Sequence, residues 1–324
     1  MRSNTFNWGI LGAGKIAEKF AQDLKTVDKA VLYAIASRSL VRAKEFAEKH
    51  ELKIAYGSYL ELVEDKHVDI IYVATPHIFH YEHSILCLEH HKAVLCEKPF
   101  GINLGQVEAM ISMAKEKNVF LMEALWTEFL PHFKFVLELT KSKEYGELLK
   151  IQADFGFNAT FNAEKRLYNK ELGGGSLMDV GIYPVFLALS LLGNPENIVA
   201  KATIGITGVD ENCSIKLSYP NGVEAKLFSA INETTPTTAR LQYEKATVII
   251  NSRFHEPTSV SIRTKEKLET KEFPVKTHGY NFEATHVQNM LEENKTESNL
   301  MTFKKSKQLI SILDRIRKEI NLEY

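Results

Sequence analysis

The sequence predicts an α/β protein: an N-terminal domain built on a doubly wound parallel sheet, then an α+β domain with a large, open, mostly antiparallel sheet. Three observations support this prediction. Short apolar runs alternate with amphipathic segments up to Met122, strand patterns follow one another without helices after Pro195, and a glycine-rich turn joins the first strand to the first helix. Repeated strand–helix–strand units form parallel sheets, whereas consecutive strands joined by turns form antiparallel ones.

The N-terminal segments have the pattern of a sheet covered on both faces. Several predicted strands are apolar nearly throughout, and amphipathic helices connect them. Asn103 and Ser58 are residue types that cap helix N-termini. The predicted strands are Phe6–Leu11, Leu32–Ser37, Asp69–Ala74, Ala93–Cys96 and Val119–Met122, and the predicted helices are Lys15–Leu24, Leu40–His50, Ser58–Glu64, Phe79–Glu89 and Leu104–Lys117.

The alternation ends after Glu123, and we place the domain boundary there, giving domains 1–123 and 124–324. The turn Tyr219–Gly222, with its Pro-Asn-Gly sequence, predicts a hairpin between two strands. The predicted helices of this part are Leu130–Ser142, Asp179–Leu192, Tyr280–Glu292 and Thr302–Ile320, and the predicted strands are Glu147–Phe157, Ile198–Ile206, Asn212–Ser218, Val223–Ile231, Ala246–Ile250 and Ser259–Arg263.

The composition is that of a globular protein of enzyme size. The 324 residues include 40 Lys plus Arg and 41 Asp plus Glu, for a formal charge of −1. Near-neutral charge argues against a nucleic-acid partner, and the lack of an apolar run of ~18 residues argues against a membrane span. Without a signal-peptide pattern, we expect a cytoplasmic location. Cys87, Cys96 and Cys213 form no Cys-x-x-Cys pair, and no cluster has metal-ligand spacing, so no metal is predicted.

The turn after the first predicted strand has the pattern Gly-x-Gly-x-x-Ala. Its residues are, in order, Gly12, Ala13, Gly14, Lys15, Ile16 and Ala17. The first glycine permits a tight turn, the second lets the backbone approach a pyrophosphate, and the alanine allows close packing of helix on strand. The helix N-terminus offers N–H groups and a positive dipole end to phosphates. At the first junction of a βαβ series, this pattern predicts a dinucleotide site rather than a simple connecting turn.

The end of the second predicted strand indicates which dinucleotide binds. NAD enzymes usually carry Asp or Glu there, which accepts hydrogen bonds from the ribose hydroxyls. This chain has Ser37 and Arg38 instead, with Arg42 one helical turn further on. A carboxylate would repel the 2′-phosphate of NADP, whereas an arginine pairs with it. We therefore predict NADP (NADPH) as the preferred cofactor. The alternative is that NAD binds and that Arg38 is an ordinary solvated side chain.

Two further motifs follow the glycine turn, the second of them ending at Pro184. The residues of the first are Tyr72, Thr75, Pro76, His77, His80, Glu97, Lys98 and Pro99. The second is Glu171–Pro184, which contains three consecutive glycines, Asp179 and Tyr183. With the glycine turn, these motifs resemble the glucose–fructose oxidoreductase and inositol dehydrogenase (Gfo/Idh/MocA) family. Within it, the chain is most similar to NADP-dependent dimeric dihydrodiol dehydrogenases and their D-xylose dehydrogenase relatives.

The resemblance implies hydride transfer between nicotinamide and a carbon that bears a hydroxyl or carbonyl. Lys98 follows a parallel strand at the sheet edge where ligands bind in open α/β folds, so its charge can stabilise an alkoxide and lower the pKa of a nearby phenol. Tyr183 is the candidate for proton transfer. Asp179, four residues earlier on the same helix face, can orient Lys98 or a substrate hydroxyl. On spacing alone, a surface pair at Glu97 and Lys98 and a core role for Tyr183 are the alternatives.

Three candidate cofactor contacts have two interpretations each. His77 and His80 line the cofactor site or cap the next helix, and Trp126 forms a wall of the nicotinamide pocket or fills the core. The full predicted cofactor site is Gly12, Ala13, Gly14, Lys15, Ile16, Ser37, Arg38, Arg42, Thr75, Pro76, His77, His80, Glu97, Lys98 and Trp126.

The predicted substrate is a sugar, cyclitol, cyclic diol or the corresponding carbonyl compound. Glu128 stands where relatives usually have Arg, so a particular relative's substrate is not transferred to this chain. The alternatives are an NAD-dependent sugar or inositol dehydrogenase and a non-catalytic dinucleotide-sensing protein; the presence of Lys98 and Tyr183 disfavours the latter. Apolar residues on both parities of the C-terminal strands, such as Leu227 and Phe228, predict a homodimer through a half-apolar sheet face, with a tetramer of two such dimers as the alternative.

Overall fold

The computed structural model describes residues 5–324 and divides them into two compact units. The first unit extends to Trp126 and also contains residues 276–307, and the second contains residues 127–275 and 308–324. The domain boundary predicted from the sequence puts residues 276–307 in the second domain. Hydrogen bonds from this segment to Asp23 place it with the first unit instead.

The first unit contains a six-stranded sheet in which every pair of neighbouring strands is parallel. Its strand order, β3-β2-β1-β4-β5-β6, reverses direction at β1, as in doubly wound dinucleotide-binding folds. The strands are β1 (Phe6–Leu11), β2 (Ala30–Ala36), β3 (Ile54–Tyr56), β4 (Ile70–Val73), β5 (Ala93–Glu97) and β6 (Leu121–Ala124), and the helices are α1 (Lys15–Leu24), α2 (Leu40–His50), α3 (Tyr59–Glu64), α4 (His80–Glu89), α5 (Leu104–Lys117) and α8 (Tyr280–Glu292).

The second unit contains an eight-stranded sheet in which only β7 and β10 pair in parallel among the described strands. The order is β14-β13-β12-β11-β7-β10-β9-β8, and α7 packs against β7 and β10. The strands are β7 (Leu148–Gly156), β8 (Asn197–Ile204), β9 (Asp210–Ser218), β10 (Glu224–Ala230), β11 (Ala239–Tyr243), β12 (Thr247–Ile250), β13 (Val260–Arg263) and β14 (Leu268–Lys271), and the helices are α6 (Pro131–Ser142), α7 (Ile182–Leu192) and α9 (Phe303–Glu319), the last of which begins in the first unit.

These two sheets confirm the predicted fold class. Three strands of the structure, β3, β11 and β14, were not predicted from the sequence. Strand β3 has only three residues, too few to show a period. Strand β14 is exposed at all four positions and carries no buried face. Strand β11 alternates buried and more exposed residues, a period-2 pattern that was present but was not recognised.

The open face of the second sheet is more polar than the sequence analysis expected. Ile215, Leu217 and Leu227 are all buried, whereas Lys216 and Lys226 point to the other face and are exposed. On this exposed face the apolar side chains include Val199, which is 47% exposed, and the half-buried Phe228.

One helical stretch in the described part of the chain, Lys170–Leu192, has the length and apolarity of a membrane span, with a mean hydropathy of 1.6. Within its most apolar window, 83% of the residues are buried inside the protein. It therefore has the burial of a core helix, as its packing against β7 and β10 indicates.

Candidate active site

The glycine turn forms a cradle whose first position, Gly12, requires glycine. Gly12 has a φ of +108°, and a side-chain carbon there would come within 2.9 Å of the Ala74 carbonyl oxygen. The Gly12 N–H donates to the carbonyl of Ala36 at 2.9 Å. Gly14 then caps α1 without a side-chain hydrogen bond, so N–H groups of the first helical turn face outward. This local geometry fits a pyrophosphate, as the sequence predicts.

Arg38 lines a cavity of about 440 Å³ at the carboxyl ends of β2 and β4. Arg42 reaches the glycine turn, where its Nη2 donates to the carbonyl of Ala13 at 3.4 Å. Ser37 is 8% exposed and its hydroxyl accepts from the Ser39 N–H at 3.3 Å, which holds the start of α2. The other residues that line the cavity are Gly57, Ser58, Tyr59, Thr75, Pro76, Phe79, Glu82 and His83.

His83, which the sequence analysis did not select, lies in the wall of this cavity. Its Nδ1 is 3.0 Å from the hydroxyl of Thr75, and its ring packs against Tyr59 and Phe79 with centroids 4.7 and 5.6 Å away. Burial lowers the pKa of His83 to about 4, and the nearby Arg38 charge acts in the same direction. The ring is therefore neutral at pH 7, and the cavity combines a flat aromatic wall with the positive charge of Arg38.

His80 connects two loops of the first unit. It is fully buried, and its two ring nitrogens lie 2.7 Å from the carbonyl of Pro99 and 2.8 Å from that of Thr75. Burial lowers its pKa to about 4, although the two carbonyls act in the opposite direction. Since both nitrogens face backbone carbonyls, the structure favours a positioning role over a direct ligand contact. His77 is 5% exposed, with its ring 5.9 Å from that of His80.

Lys98 lies just past β5 on a backbone fixed by Glu97. One carboxylate oxygen of Glu97 accepts from the hydroxyl of Tyr72, and the other accepts from the Lys98 N–H at 3.2 Å. Glu97 is 7% exposed and Tyr72 is fully buried, whereas Lys98 is half-buried. The buried carboxylate therefore orients the segment that presents the amine. Tyr72 supports this arrangement although the sequence analysis gave it no role.

Glu123 is a second buried carboxyl group near Lys98. It is 2% exposed and accepts from the Phe100 N–H at 3.1 Å. Its pKa is raised to about 7, chiefly by burial and to a smaller extent by repulsion from Glu97, while hydrogen bonds from Ser306 and Phe100 and the Lys98 charge oppose this shift. No sequence pattern distinguishes this glutamate from an ordinary strand residue.

Trp126 stacks on Tyr280 inside the first unit. The ring centroids are 4.3 Å apart and the planes differ by 5°. Trp126 is 5% and Tyr280 4% exposed. This contact supports a packing role for Trp126; its role at a nicotinamide pocket stays a prediction.

Two of the three consecutive glycines of the second motif, Gly174 and Gly175, leave no room for a side chain. A side-chain carbon at Gly174 would come within 2.4 Å of the Arg166 carbonyl, and one at Gly175 within 2.1 Å of an Asp210 carboxylate oxygen. The other Asp210 oxygen accepts from the Leu177 N–H and from the Ser176 hydroxyl, both at 2.7 Å. Asp210 thus holds the start of the helix that carries Asp179 and Tyr183.

Asp179 lies in a π-helical turn, Leu177–Gly181, rather than in the α-helix that the sequence predicted. The α-helical four-residue spacing therefore does not set its direction relative to Tyr183. The turn occurs where the backbone approaches β10, since a side-chain carbon at Gly181 would lie 2.8 Å from the Ser229 hydroxyl. Asp179 is 8% exposed and pairs with Arg166 at 2.9 Å, a partner that the sequence analysis did not identify.

Tyr183 lies among aromatic rings at the start of α7. It is 7% exposed, and its ring centroid is 5.8 Å from that of Phe155 and 4.7 Å from that of His255. His255 comes from a distant loop, so no sequence spacing links it to this tyrosine.

The described residues contain no group of three or more His, Cys, Asp or Glu arranged to hold a metal ion. Cys87, Cys96 and Cys213 are buried thiols.

Each of the two units contains a region that matches a known protein-family model. Residues 6–125 match the oxidoreductase family with NAD-binding Rossmann fold, and residues 133–249 match the GFO/IDH/MocA C-terminal domain. The trans-1,2-dihydrobenzene-1,2-diol dehydrogenase of Xenopus tropicalis is 38% identical over 330 residues, which cover 98% of each chain. The Mus musculus enzyme of the same name is 37% identical over 331 residues, covering 98% of this chain and 97% of its own.

A solved structure shows the same fold along the whole chain. The 3-ketoreductase KijD10 from Actinomadura kijaniata, in complex with NADP and TDP-benzene, has a TM-score of 0.90 at 24% sequence identity, with 98% of both chains covered.

The parallel sheet with its glycine cradle and the mostly antiparallel second sheet, together with the family matches, identify an oxidoreductase with an NAD(P)-binding Rossmann unit. The chain belongs to the Gfo/Idh/MocA oxidoreductase family, which confirms the resemblance drawn from its motifs.

Proposed function

We propose that this oxidoreductase uses NADP and acts on a cyclic diol or sugar, exchanging a hydride with the carbon that bears the reacting hydroxyl or carbonyl. The proposal rests on one observation. The Glu97 carboxylate accepts hydrogen bonds from the Tyr72 hydroxyl and from the Lys98 N–H, and so holds Lys98 at the carboxyl edge of the parallel sheet. A cation at this edge is placed to stabilise the charge that develops on a substrate oxygen. The names of the dihydrodiol dehydrogenase relatives support the substrate class.

The cofactor site fits a dinucleotide in the first unit. Gly12 and Gly14 provide the pyrophosphate cradle, and Arg38 and Arg42 supply positive charge where a 2′-phosphate would bind. No carboxylate occupies the end of β2, and this supports NADP over NAD. The bound cofactor supplies or accepts the hydride.

Side chains of the protein then transfer the hydroxyl proton of the substrate and stabilise the charge on its oxygen. In the oxidation direction, Tyr183 as phenolate accepts the substrate hydroxyl proton, and in reduction its phenol returns that proton to the alkoxide oxygen. Lys98 stabilises the negative charge of the alkoxide. Asp179, whose carboxylate pairs with Arg166, orients a substrate hydroxyl.

A screen of aldoses, cyclitols, cyclic diols and dicarbonyls with NADP and NADPH tests this proposal. We expect turnover with at least one diol or sugar, measured as the change in nicotinamide absorbance. Binding of NADPH with no turnover across all four substrate classes would instead support a non-catalytic dinucleotide-sensing protein.

The quaternary part of the proposal is a homodimer through the open face of the second sheet. Val199 and Phe228 supply apolar contacts there, and a twofold axis would cover both copies of the face at once. The ion pair between Lys216 and Glu224 neutralises part of the charge on this surface, which reduces repulsion between the two copies.

A further inference from the structure

His255 is buried against Tyr183 in the second unit. The two ring centroids are 4.7 Å apart with a tilt of 41°. His255 also stacks on Phe155, at 4.1 Å and 24°, and is only 3% exposed. Because charges interact more strongly away from water, an imidazole enclosed in this way can influence the ionisation of the phenol.

The loop that carries His255, between β12 and β13, is held by hydrogen bonds from three segments. The hydroxyl of Thr127 donates to the carbonyl of His255 at 2.9 Å, and Nε2 of His132 lies 2.9 Å from the carbonyl of Phe254. The Phe254 N–H donates to the carbonyl of Thr237 at 3.2 Å. The fold therefore holds the imidazole ring against the phenol.

Glu256 places a negative charge beside this imidazole. Its carboxylate is 3.5 Å from Nε2 of His255. Burial by itself would raise the pKa of Glu256, but hydrogen bonds from His255 and Arg253 lower it to about 2. The carboxylate is thus ionised at pH 7 and stabilises a protonated imidazole.

The described neighbours of His255 also include an apolar ring and a neutral imidazole. Phe155 on β7 is apolar. His132 on α6 is neutral at pH 7, because burial lowers its pKa to about 4. Among these described neighbours of His255, Glu256 carries the negative charge and Tyr183 the ionisable phenol.

We propose that His255, oriented by Glu256, is a positioning residue for Tyr183 that favours loss of the phenol proton when the imidazole is protonated. This inference rests on the proposed proton-transfer role of Tyr183. The order carboxylate, imidazole, phenol ring follows the general logic by which a carboxylate orients a histidine beside a reacting residue. Here the histidine acts through the charge and packing of its ring rather than on the substrate.

The test measures the ionisation of Tyr183 directly and independently of turnover. Protein labelled at tyrosine Cζ with ¹³C is titrated by NMR between pH 6 and 10.5, and the Tyr183 signal is the one that Tyr183→Phe removes. We expect His255→Phe, which keeps an aromatic ring of similar size, to raise the Tyr183 midpoint by at least half a pH unit. Glu256→Gln should shift it in the same direction, since it removes the charge that stabilises the imidazolium.

Arg253→Gln is the matched control, because it removes the exposed partner of Glu256 and leaves the pair of Glu256 and His255 intact. We expect it to move the Tyr183 midpoint by less than the other two variants. The pH at which kcat/KM reaches half its maximum should move with the NMR midpoint. An unchanged midpoint in both His255→Phe and Glu256→Gln overturns the inference, and Glu256→Gln alone decides it if His255→Phe does not fold.

Failure of the proposed function gives a different result. If Tyr183→Phe retains full turnover, Tyr183 is not the proton-transfer group, yet the NMR titration of wild type against His255→Phe still shows whether the imidazole controls the phenol.

Discussion

The carboxylate of Asp23, near the end of α1, accepts a hydrogen bond from the backbone N–H of Tyr280 at 2.8 Å, 257 positions further along the chain. The same carboxylate accepts from the N–H groups of Gly279 at 2.8 Å and His278 at 3.0 Å. It therefore caps α8 from another element, and Tyr280 in turn stacks on Trp126. This cap joins the segment 276–307 to the first unit.

Replacing Asp23 should destabilise the first unit strongly. Asp23→Ala leaves N–H groups at the start of α8 without their acceptor, and we expect a loss of about 2–3 kcal/mol in the free energy of unfolding. Urea unfolding of the whole chain, followed by circular dichroism, measures this loss. Asp28→Ala, at an exposed aspartate five positions away, is the control and should stay within ~0.5 kcal/mol of wild type. Equal stability of the two variants would contradict the role of the cap.

Arg38 should set the choice of dinucleotide. We expect NADPH to bind at least ~10-fold more tightly than NADH, about 1.4 kcal/mol, which is within reach of one charge-assisted phosphate contact. Arg38→Asp should reverse this preference because its carboxylate repels the 2′-phosphate. Titration of tryptophan fluorescence with each cofactor gives both dissociation constants. Arg240→Asp, on β11 of the second unit, should leave the ratio unchanged, and equal affinities in the wild type would refute the assignment.

Tyr183 and Lys98 should affect turnover far more than cofactor binding. Tyr183→Phe removes only the hydroxyl, so kcat should fall by about 10²-fold or more, the usual scale for losing a general acid. Lys98→Met should lower kcat at least as much. Steady-state kinetics with the best substrate from the screen, together with NADPH titration, separates the two effects. Tyr219→Phe, at another buried tyrosine of the second unit, is the matched control and should keep its activity.

Glu123 should make stability depend on pH. Its folded pKa of about 7 lies above its ordinary value of 4.5, so folding favours the protonated form. Its contribution is therefore fully present below pH 4.5 and is lost as the pH rises through 7. Between pH 5 and pH 8 this loss amounts to about 2–3 kcal/mol.

Glu123→Gln should remove that part of the pH dependence, because the amide does not ionise. Urea unfolding at pH 5 and pH 8 measures the difference for each protein. Glu116→Gln, at an exposed glutamate of α5, should retain the wild-type difference. The same pH dependence in Glu123→Gln and wild type would show that Glu123 is not the titrating group.

The proposed homodimer should be visible in solution. Light scattering at micromolar concentration should give about twice the single-chain mass of 36.8 kDa. Phe228→Arg should shift the mass toward one chain, since it places a charge among Lys216 and Lys226 on the open face. Val41→Arg changes an exposed valine on α2 and should leave the mass unchanged. A wild-type mass of one chain would refute the dimer.

Features governed by chain neighbours were predictable from the sequence. Asn103 accepts from the Gln106 N–H at 3.0 Å and caps α5, and Ser58 forms a reciprocal capping box with Glu61, because these contacts span only three residues. The glycine turn also needs nothing beyond its own strand–helix junction. Helix starts and the parallel sheet followed from such local signals.

Recognition of the family required motifs rather than periodicity. The Glu97-Lys98-Pro99 triplet and the Asp179 to Tyr183 spacing are specific combinations, and the family comparisons confirm what they predicted. The local backbone geometry at Asp179 could not be predicted from the motif. Its π-helical turn occurs where the chain closely approaches β10, which is a contact between distant segments.

By itself, the sequence determined the fold class, the helix caps and the family, since each depends on residues close together in the chain or on a specific motif. Only the tertiary structure decided that His255 packs on Tyr183, that residues 276–307 join the first unit, and that burial raises the pKa of Glu123. These properties depend on burial and on contacts between distant segments. The periodicity of a sequence segment does not tell which side chains from distant segments will be buried beside it. Tertiary packing alone therefore sets the buried neighbours of a side chain and the charge states that they favour.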